Sequence, residues 1–256
     1  MIPASVSVVI PAYREDEGIG RVLDRLLDAV SLELEVLIVV DDIDDPTVSA
    51  VEAHVGHDSR VRTLVNVYGR GPANAIRYGI DHAAHPVVVV TMADGSDDPR
   101  LIDPMARLVE RGVVVAAASR YSPGGQQVGG PLLKSALSRA AGRSLGIFAR
   151  VGTDDATNSF KAYDTAFVRE VGIDSRTGFE IGLELTAKAR RLRLPVAELP
   201  TIWLDRTVGH SSFDLKAWIP KYLRWYRFAY GPELTIDEVR RRSAAIARRN
   251  EEDKQP

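Results

Sequence analysis

Acidic residues bunch where two short apolar runs end. Asp94, Asp97 and Asp98 follow Val87 to Val90, and Asp41, Asp42, Asp44 and Asp45 follow Val36 to Val40. Like charges so placed repel one another unless something positive neutralises them. Hard carboxylate oxygens at such a spot suit Mg²⁺ or Mn²⁺, and magnesium commonly bridges protein carboxylates to substrate phosphates. The same residues also read as helix starts, since Asp and then Pro favour an N-terminus. The spacing predicts both: Asp94 as the ligand, and Asp97 or Asp98 as the cap of a helix starting near Arg100. For the Asp41–Asp45 cluster two readings stand. One is a turn and cap ahead of Thr47, and the other an aspartate that accepts hydrogen bonds from a nucleoside's base or ribose.

Tyr13 and Glu15 follow the first apolar run, and Pro11 fixes the chain direction there. Tyr13 reads either as a ring that stacks on a base or as part of the core. Gly69-Arg70-Gly71-Pro72-Ala73-Asn74 opens a helix, where glycines let a phosphate approach backbone N–H groups. It matches neither the P-loop nor the dinucleotide fingerprint.

These residues need a scaffold, and the patterning supplies one. Val6 to Ile10, Val36 to Val40, Val61 to Val65, Val87 to Val90 and Val113 to Ala118 are β-branched runs of strand length. Between them Ile19 to Val30, Thr47 to His54, Ala73 to Ala83 and Leu101 to Glu110 have helical spacing. Alternation with strands this apolar predicts an α/β fold, a mostly parallel sheet flanked by helices on both faces. Ligands bind such sheets at the carboxyl ends of the strands, where the polar groups above are gathered. Beyond Arg120, residues 122–130 read as a flexible loop and Leu132 to Ala149 as a basic amphipathic helix. Glu180 to Arg193 reads as a helix, Val196 to Leu204 as a strand and Leu215 to Tyr230 as an aromatic helix. One domain over 1–236 is expected, with a nucleotide half at 1–120, an acceptor half at 121–236 and a fraying charged tail at 237–256.

The chain has 256 residues, 45% of them hydrophobic, which excludes a disordered or low-complexity protein. A net charge of −2 argues against a bulk nucleic-acid binder. With no cysteine, disulfides, thiolate nucleophiles and Cys-ligated zinc are excluded. The longest apolar runs fall far short of the about 20 residues a spanning helix needs. The first residues lack the charged region of a signal peptide. A cytoplasmic chain is expected, with any membrane contact peripheral.

Together, Val8-Val9-Ile10-Pro11-Ala12-Tyr13-Arg14-Glu15, Val39-Val40-Asp41-Asp42, Gly69-Arg70-Gly71 to Gly79, Met92-Ala93-Asp94 and Ser119-Arg120-Tyr121 resemble the family 2 glycosyltransferases of GT-A fold. Asp155-Ala156-Thr157-Asn158-Ser159-Phe160-Lys161-Ala162-Tyr163, Gly178-Phe179-Glu180 with Glu184, and Arg206-Thr207-Val208-Gly209-His210-Ser211 resemble the dolichol-phosphate mannosyltransferase branch. The resemblance runs from about Ser5 to Phe213 in the same order. It implies that Pro11, Tyr13, Glu15, Asp42 and Gly71 bind the nucleotide of a sugar nucleotide. It implies that Asp94, with Ser96 and Asp97, holds Mg²⁺ or Mn²⁺ against the diphosphate. Arg120, Lys134 and Arg206 would grip the diphosphate and the phosphate of a lipid acceptor.

Three positions depart from that pattern. Met92 stands at the first acidic position of Asp-x-Asp, Ser96 replaces a polar ligand, and Ser212 replaces a lysine after Gly209-His210-Ser211. His210 is then either a substitute donor or base, or a bystander. The implied reaction is inverting hexose transfer from a GDP-mannose-like or UDP-sugar donor to a polyprenyl or dolichyl phosphate. Two alternatives are transfer to a soluble acceptor, with His210 or Glu180 as base, and a silent nucleotide-binding module. On 214–230, Trp218, Tyr222, Trp225, Tyr226 and Phe228 share a helix with Lys216, Lys221, Arg224 and Arg227. That helix contacts a membrane or acceptor, packs on the core, or forms a dimer interface.

Overall fold

The apolar runs become strands buried on both faces, because helices cover the sheet from both sides. The computed structural model describes residues 5–16, 18–56, 58–130, 132–176, 178–205 and 215–252, and the side chains of 132–134, 215–218 and 247–252 lie outside that description. The first half runs β1 (Ser5–Pro11), α1 (Ile19–Ala29), β2 (Glu33–Val40), α2 (Pro46–Val55), β3 (Val61–Val65), α3 (Pro72–Asp81) and β4 (Val87–Val90). A 3₁₀ turn (Pro99–Leu101) leads into α4 (Ile102–Glu110) and β5 (Val115–Ser119). The second half holds β6 (Gln126–Val128), α5 (Leu132–Ser144), a π-turn (Leu145–Ala149), β7 (Lys161–Asp164) and α6 (Thr165–Val171). It ends with α7 (Ile181–Arg191), β8 (Val196–Pro200), β9 (Ile202–Leu204), α8 (Leu215–Ala229) and α9 (Ile236–Glu252).

Seven strands form one sheet in the order β3-β2-β1-β4-β7-β5-β8, and β6 pairs β9 in a separate ribbon. All pairs in the large sheet are parallel except those of β7, which lies antiparallel between β4 and β5. One face packs on α1, α2 and α4 through Leu23, Val51 and Met105. The other packs on α3, α6, α7 and α9 through Ile76, Phe167, Leu185 and Val239. Strand order reverses beside β1, whose neighbours β2 and β4 continue in opposite directions. That is the switch point where a crevice opens at the carboxyl ends.

Three expectations change. β7 falls inside a segment quoted for its motif but not read as a strand, because its first residue is a buried lysine. The strand expected over Val196 to Leu204 is two. After Pro200, which has no N–H to extend the ladder, the chain leaves β5 and pairs with β6, inside the expected flexible loop. The charged tail is the helix α9, held by Val239, 1% exposed, and by Ser243 donating to the carbonyl of Val171 at 3.2 Å.

α3 lies tight against the sheet at Gly79. A Cβ there would meet Val9 Cγ1 at 2.5 Å and Val39 Cγ2 at 3.1 Å, both on rigid β-branched side chains. Gly79→Val should therefore cost at least about 2 kcal/mol by overpacking. A lowered urea midpoint with an unchanged m-value would register it.

Candidate active site

The rim is built from the ends of β1, β2, β4 and β5. Leaving β1, Ala12 donates its N–H to the carbonyl of Val39 at 2.9 Å, and Arg14 turns through φ 54°. That turn is anchored on α2. Arg14 N–H meets both Asp45 carboxylate oxygens at 3.2 and 3.1 Å, and Glu15 N–H meets Thr47 Oγ1 at 3.0 Å. Asp45 also caps α2 through Thr47 N–H at 2.9 Å, so the turn reading of the acidic cluster is right for this residue. Tyr13 is 67% exposed, a ring presented to solvent above the crevice and not a piece of core.

The two aspartates after β2 divide their work. Asp41 accepts from Asn66 Nδ2 and from Gly71 N–H, both at 2.8 Å, tying the strand end to the glycine turn before α3. Gly71 takes φ 114°, a left-handed value that favours glycine, and its own N–H is committed to Asp41. Asp42 faces outward, with Arg70 Nη2 at 3.5 Å.

After β4 the carboxylates separate sharply. Asp94 is half-buried and accepts from Ser96 N–H at 3.1 Å across Gly95, at φ 71°. Asp98 caps the 3₁₀ turn through Arg100 N–H at 3.1 Å. Asp97 does neither. It turns inward and accepts from Thr91 Oγ1 at 2.9 Å and Met92 N–H at 3.2 Å. Burial, with the charge of Asp94 beside it, pushes Asp97 up to about 7. Ser96 is buried too, its hydroxyl without a protein partner. So Asp94 is the one of the three expected metal residues that is not buried. Among the described residues no group of three His, Asp or Glu side chains is arranged to hold a metal. Arg25, which the sequence reading missed, reaches from α1 to the carbonyls of Gly95 at 2.9 Å and Asp97 at 3.4 Å and holds this loop.

Arg120 ends β5 in a fork. Its Nε and Nη2 donate to the two oxygens of Asp155 at 2.7 and 2.8 Å, and its backbone N–H joins at 3.0 Å. Burial opposes the charge, yet the hydrogen bonds and charge of Asp155 outweigh it and hold Arg120 above its ordinary value. The guanidinium also stacks on Tyr121 at 5.0 Å and on Trp203 of the β6–β9 ribbon at 5.9 Å. Leu204 N–H donates to the carbonyl of Ser96 at 3.1 Å, so the ribbon closes over the β4 loop. Below lies Lys161, fully buried, its Nζ donating to the carbonyls of Ala156 and Asn158. Burial brings Lys161 down to about 7, opposed by Asp155.

At the start of α7, Glu180 is buried with Oε2 unpartnered, and burial raises its carboxyl, partly opposed by Lys221. Burial, with the charge of Glu180, raises the Tyr222 hydroxyl of α8 against the opposing charge of Arg120, so α8 lies against the same rim. Glu184 takes Asp174 and Ser175 N–H at 2.6 and 2.9 Å and Lys188 Nζ at 2.7 Å, a buried brace below the rim. Tyr222 and Trp225 pack inward against Leu145 and Ala149, so the core reading holds for them. Arg206, His210 and the side chains of Lys134 and Trp218 lie outside the described residues. Asp155 and Lys161 lay in a quoted block without a role. A carboxylate and a lysine six residues apart were the available signal.

A family model described as "Glycosyl transferase family 2" matches residues 7–172. The undecaprenyl-phosphate mannosyltransferase of Micrococcus luteus is 29% identical over 217 residues, 82% of this chain and 87% of that protein. The polyprenol monophosphomannose synthase of Mycolicibacterium smegmatis is 28% identical over 214 residues, 81% and 80%. Among solved structures, glucosyl-3-phosphoglycerate synthase of Mycobacterium tuberculosis with Mn²⁺, uridine diphosphate and phosphoglyceric acid superposes with a TM-score of 0.64. It is 17% identical and covers 91% of this chain and 80% of that one.

Asp97 supplies a pH signature. Its native pKa lies above the ordinary 3.8, so the native state keeps a proton that the unfolded chain has lost. Wild-type stability should thus fall as pH rises from about 4 to about 7. Asp97→Asn removes that loss. With divalent cations chelated, denaturation at pH 8 should find the variant ahead of wild type by on the order of 3 kcal/mol, and level with it near pH 4.

Proposed function

This chain belongs to glycosyl transferase family 2, and we propose that it transfers a hexose from a nucleotide sugar to a polyprenyl phosphate with inversion at the anomeric carbon. The observation that carries the reading is the meeting at one rim of an outward Asp42, a half-open Asp94 and the buried Arg120–Asp155 fork. The relatives named for undecaprenyl phosphate and polyprenol supply the acceptor class. Tyr13 and Asp42 take the nucleoside, the ring by stacking and the carboxylate by accepting from base or ribose. Pro11 and Glu15 shape that turn, and Gly71 shapes the facing one.

Asp94 offers one hard carboxylate oxygen, which fits a divalent ion drawing its remaining ligands from phosphate oxygens and water. Mn²⁺ with uridine diphosphate in the structural neighbour supports this use of the fold. Bound there, Mg²⁺ or Mn²⁺ would neutralise charge on the diphosphate. The acceptor phosphate oxygen attacks the anomeric carbon as the bond from that carbon to the diphosphate oxygen breaks. The electron pair leaves with the nucleoside diphosphate. Arg120 meets the charge that develops, its fork already oriented by Asp155 so that little reorganisation is needed. Lys134, Arg206 and His210 belong to the same reading as phosphate donors. A phosphate acceptor is already anionic and needs no strong base.

A second reading rests on Glu180. An unpartnered carboxyl oxygen with a raised pKa suits a general base for a hydroxyl acceptor.

One experiment separates the two. Wild type is given labelled sugar nucleotides with Mn²⁺ and either detergent-solubilised polyprenyl phosphate or soluble hydroxyl acceptors. The first reading expects label in the lipid-phosphate product, Asp94→Asn lowering kcat/KM at least about 100-fold and Glu180→Gln leaving it within about threefold. No lipid product with any donor sinks it. Label only in hydroxyl acceptors, lost in Glu180→Gln, establishes the second.

A further inference from the structure

Two segments of the second half carry cations and no acids, and the carboxylate that Arg143 acts on, Asp154, lies outside both. Residues 132–150 carry Lys134, Arg139, Arg143 and Arg150 and no Asp or Glu, and residues 215–231 carry Lys216, Lys221, Arg224 and Arg227 and none either. The whole chain is nonetheless net negative, at −2. These two segments are neighbours. Ser144 at the end of α5 and Tyr226 of α8 share a hydrogen bond between hydroxyls at 2.8 Å, and Leu145 and Ala149 of the π-turn pack with Trp225 and Ala229.

What the two segments turn outward is apolar. In the π-turn Leu145 and Ala149 face in, while Ile147 and Phe148 are 58% and 73% exposed. On α8, Tyr222, Trp225 and Ala229 face in, and the exposed apolar residues are Ile219, Leu223 and Tyr230. At about 100° per residue those three lie on one stripe, beside the Tyr226 that reaches Ser144. The exposed apolar side chains of this face are thus Ile147, Phe148, Ile219, Leu223 and Tyr230, while Trp225 turns inward and the side chain of Trp218 lies outside the described residues. Arginines 139, 143, 150, 224 and 227 are exposed on the same two segments.

We infer that this face, the π-turn tip with the outer stripe of α8, is the surface by which the protein seats on a bilayer containing anionic lipid. An apolar strip on segments that also expose cations is what the headgroup boundary accepts: side chains enter the acyl region while guanidinium groups stay with lipid phosphates. A second copy of the chain is a poor occupant, since a face with five exposed arginines and no acid in either segment would meet its own charge. The inference deepens the polyprenyl-phosphate reading, because Arg139 also stacks on Tyr121 at 5.1 Å, next to Arg120. The surface therefore ends at the rim where a lipid phosphate would arrive.

The test is flotation of the full chain with vesicles of phosphatidylcholine alone or mixed with phosphatidylglycerol, with neither donor nor acceptor present. Wild type should float with the mixed vesicles only, and less at high salt. Ile147→Ser/Phe148→Ser should bind them at least about tenfold more weakly. Arg143→Glu/Arg224→Glu, confined to exposed side chains, should lose binding as well and guards against misfolding of the first variant. Circular dichroism and nucleotide binding must match wild type. Wild type that fails to float with the mixed vesicles overturns the inference, as do variants that float as well as wild type. Sedimentation showing a dimer that Ile147→Ser/Phe148→Ser dissolves overturns it in favour of a self-association face. Vesicle binding without any lipid-phosphate product leaves the surface standing and sinks the acceptor reading; the reverse pattern sinks only the surface.

Discussion

Arg120 and Asp155 meet where almost no water reaches, with Asp155 fully buried and Arg120 13% exposed. Neither charge is affordable there alone, since an isolated buried ion is far more costly than a paired one. The forked contact and the backbone N–H of Arg120 satisfy the carboxylate from three directions. Asp155 comes from a loop 35 residues away, and that loop stays in place because Asn158 Nδ2 donates to the carbonyl of Ala118 at 2.9 Å. The strand end, the loop and the guanidinium therefore fix one another. A guanidinium built this way is oriented before any ligand arrives.

The pairing also accounts for the irregular part of the sheet. β7 enters antiparallel between β4 and β5, which puts Lys161 opposite Val90 on one side and Ala117 on the other. A lysine in the middle of a sheet is tolerable because the charge of Asp155 acts on it and the carbonyls of Ala156 and Asn158 accept its hydrogen bonds. Were β7 absent, β4 and β5 would have to adjoin directly, and the loop carrying Asp155 would have no strand to lead into. The fold's departure from a plain parallel sheet is thus tied to the charge cluster it encloses.

How much of this was legible follows from periodicity and burial. Val61–Val65 and Val87–Val90 are strands to the residue: the second is four valines in a row, and the first holds two valines and a threonine among its five residues. The rim was legible because polar residues follow those runs directly. β7 was hidden by Lys161, whose buried charge breaks the apolar signal that marks a strand. α9 was hidden by its arginines, since Val239 and Ser243 supply too few inward contacts to stand out in the pattern. The inward turn of Asp97 was not legible because three nearby aspartates look equivalent in sequence. Which one turns inward depends on Thr91 and the Met92 N–H, and that is a matter of three-dimensional placement.

The replacement at Met92 has to be weighed with that inward turn. An acidic residue there would put a third carboxylate beside Asp94 and Asp97, in a place where burial and the charge of Asp94 already raise Asp97 to about 7. Methionine removes that repulsion and leaves half-buried Asp94 beside the inward Asp97. A cation held by one carboxylate depends more on the diphosphate for its ligands, so metal and donor should bind as a unit and not in sequence. On the proposed reading, neutralising the diphosphate then falls more heavily on protein cations, among them Arg120, which Asp155 keeps charged despite its burial. On that reading the methionine and the Arg120–Asp155 fork are parts of one electrostatic arrangement.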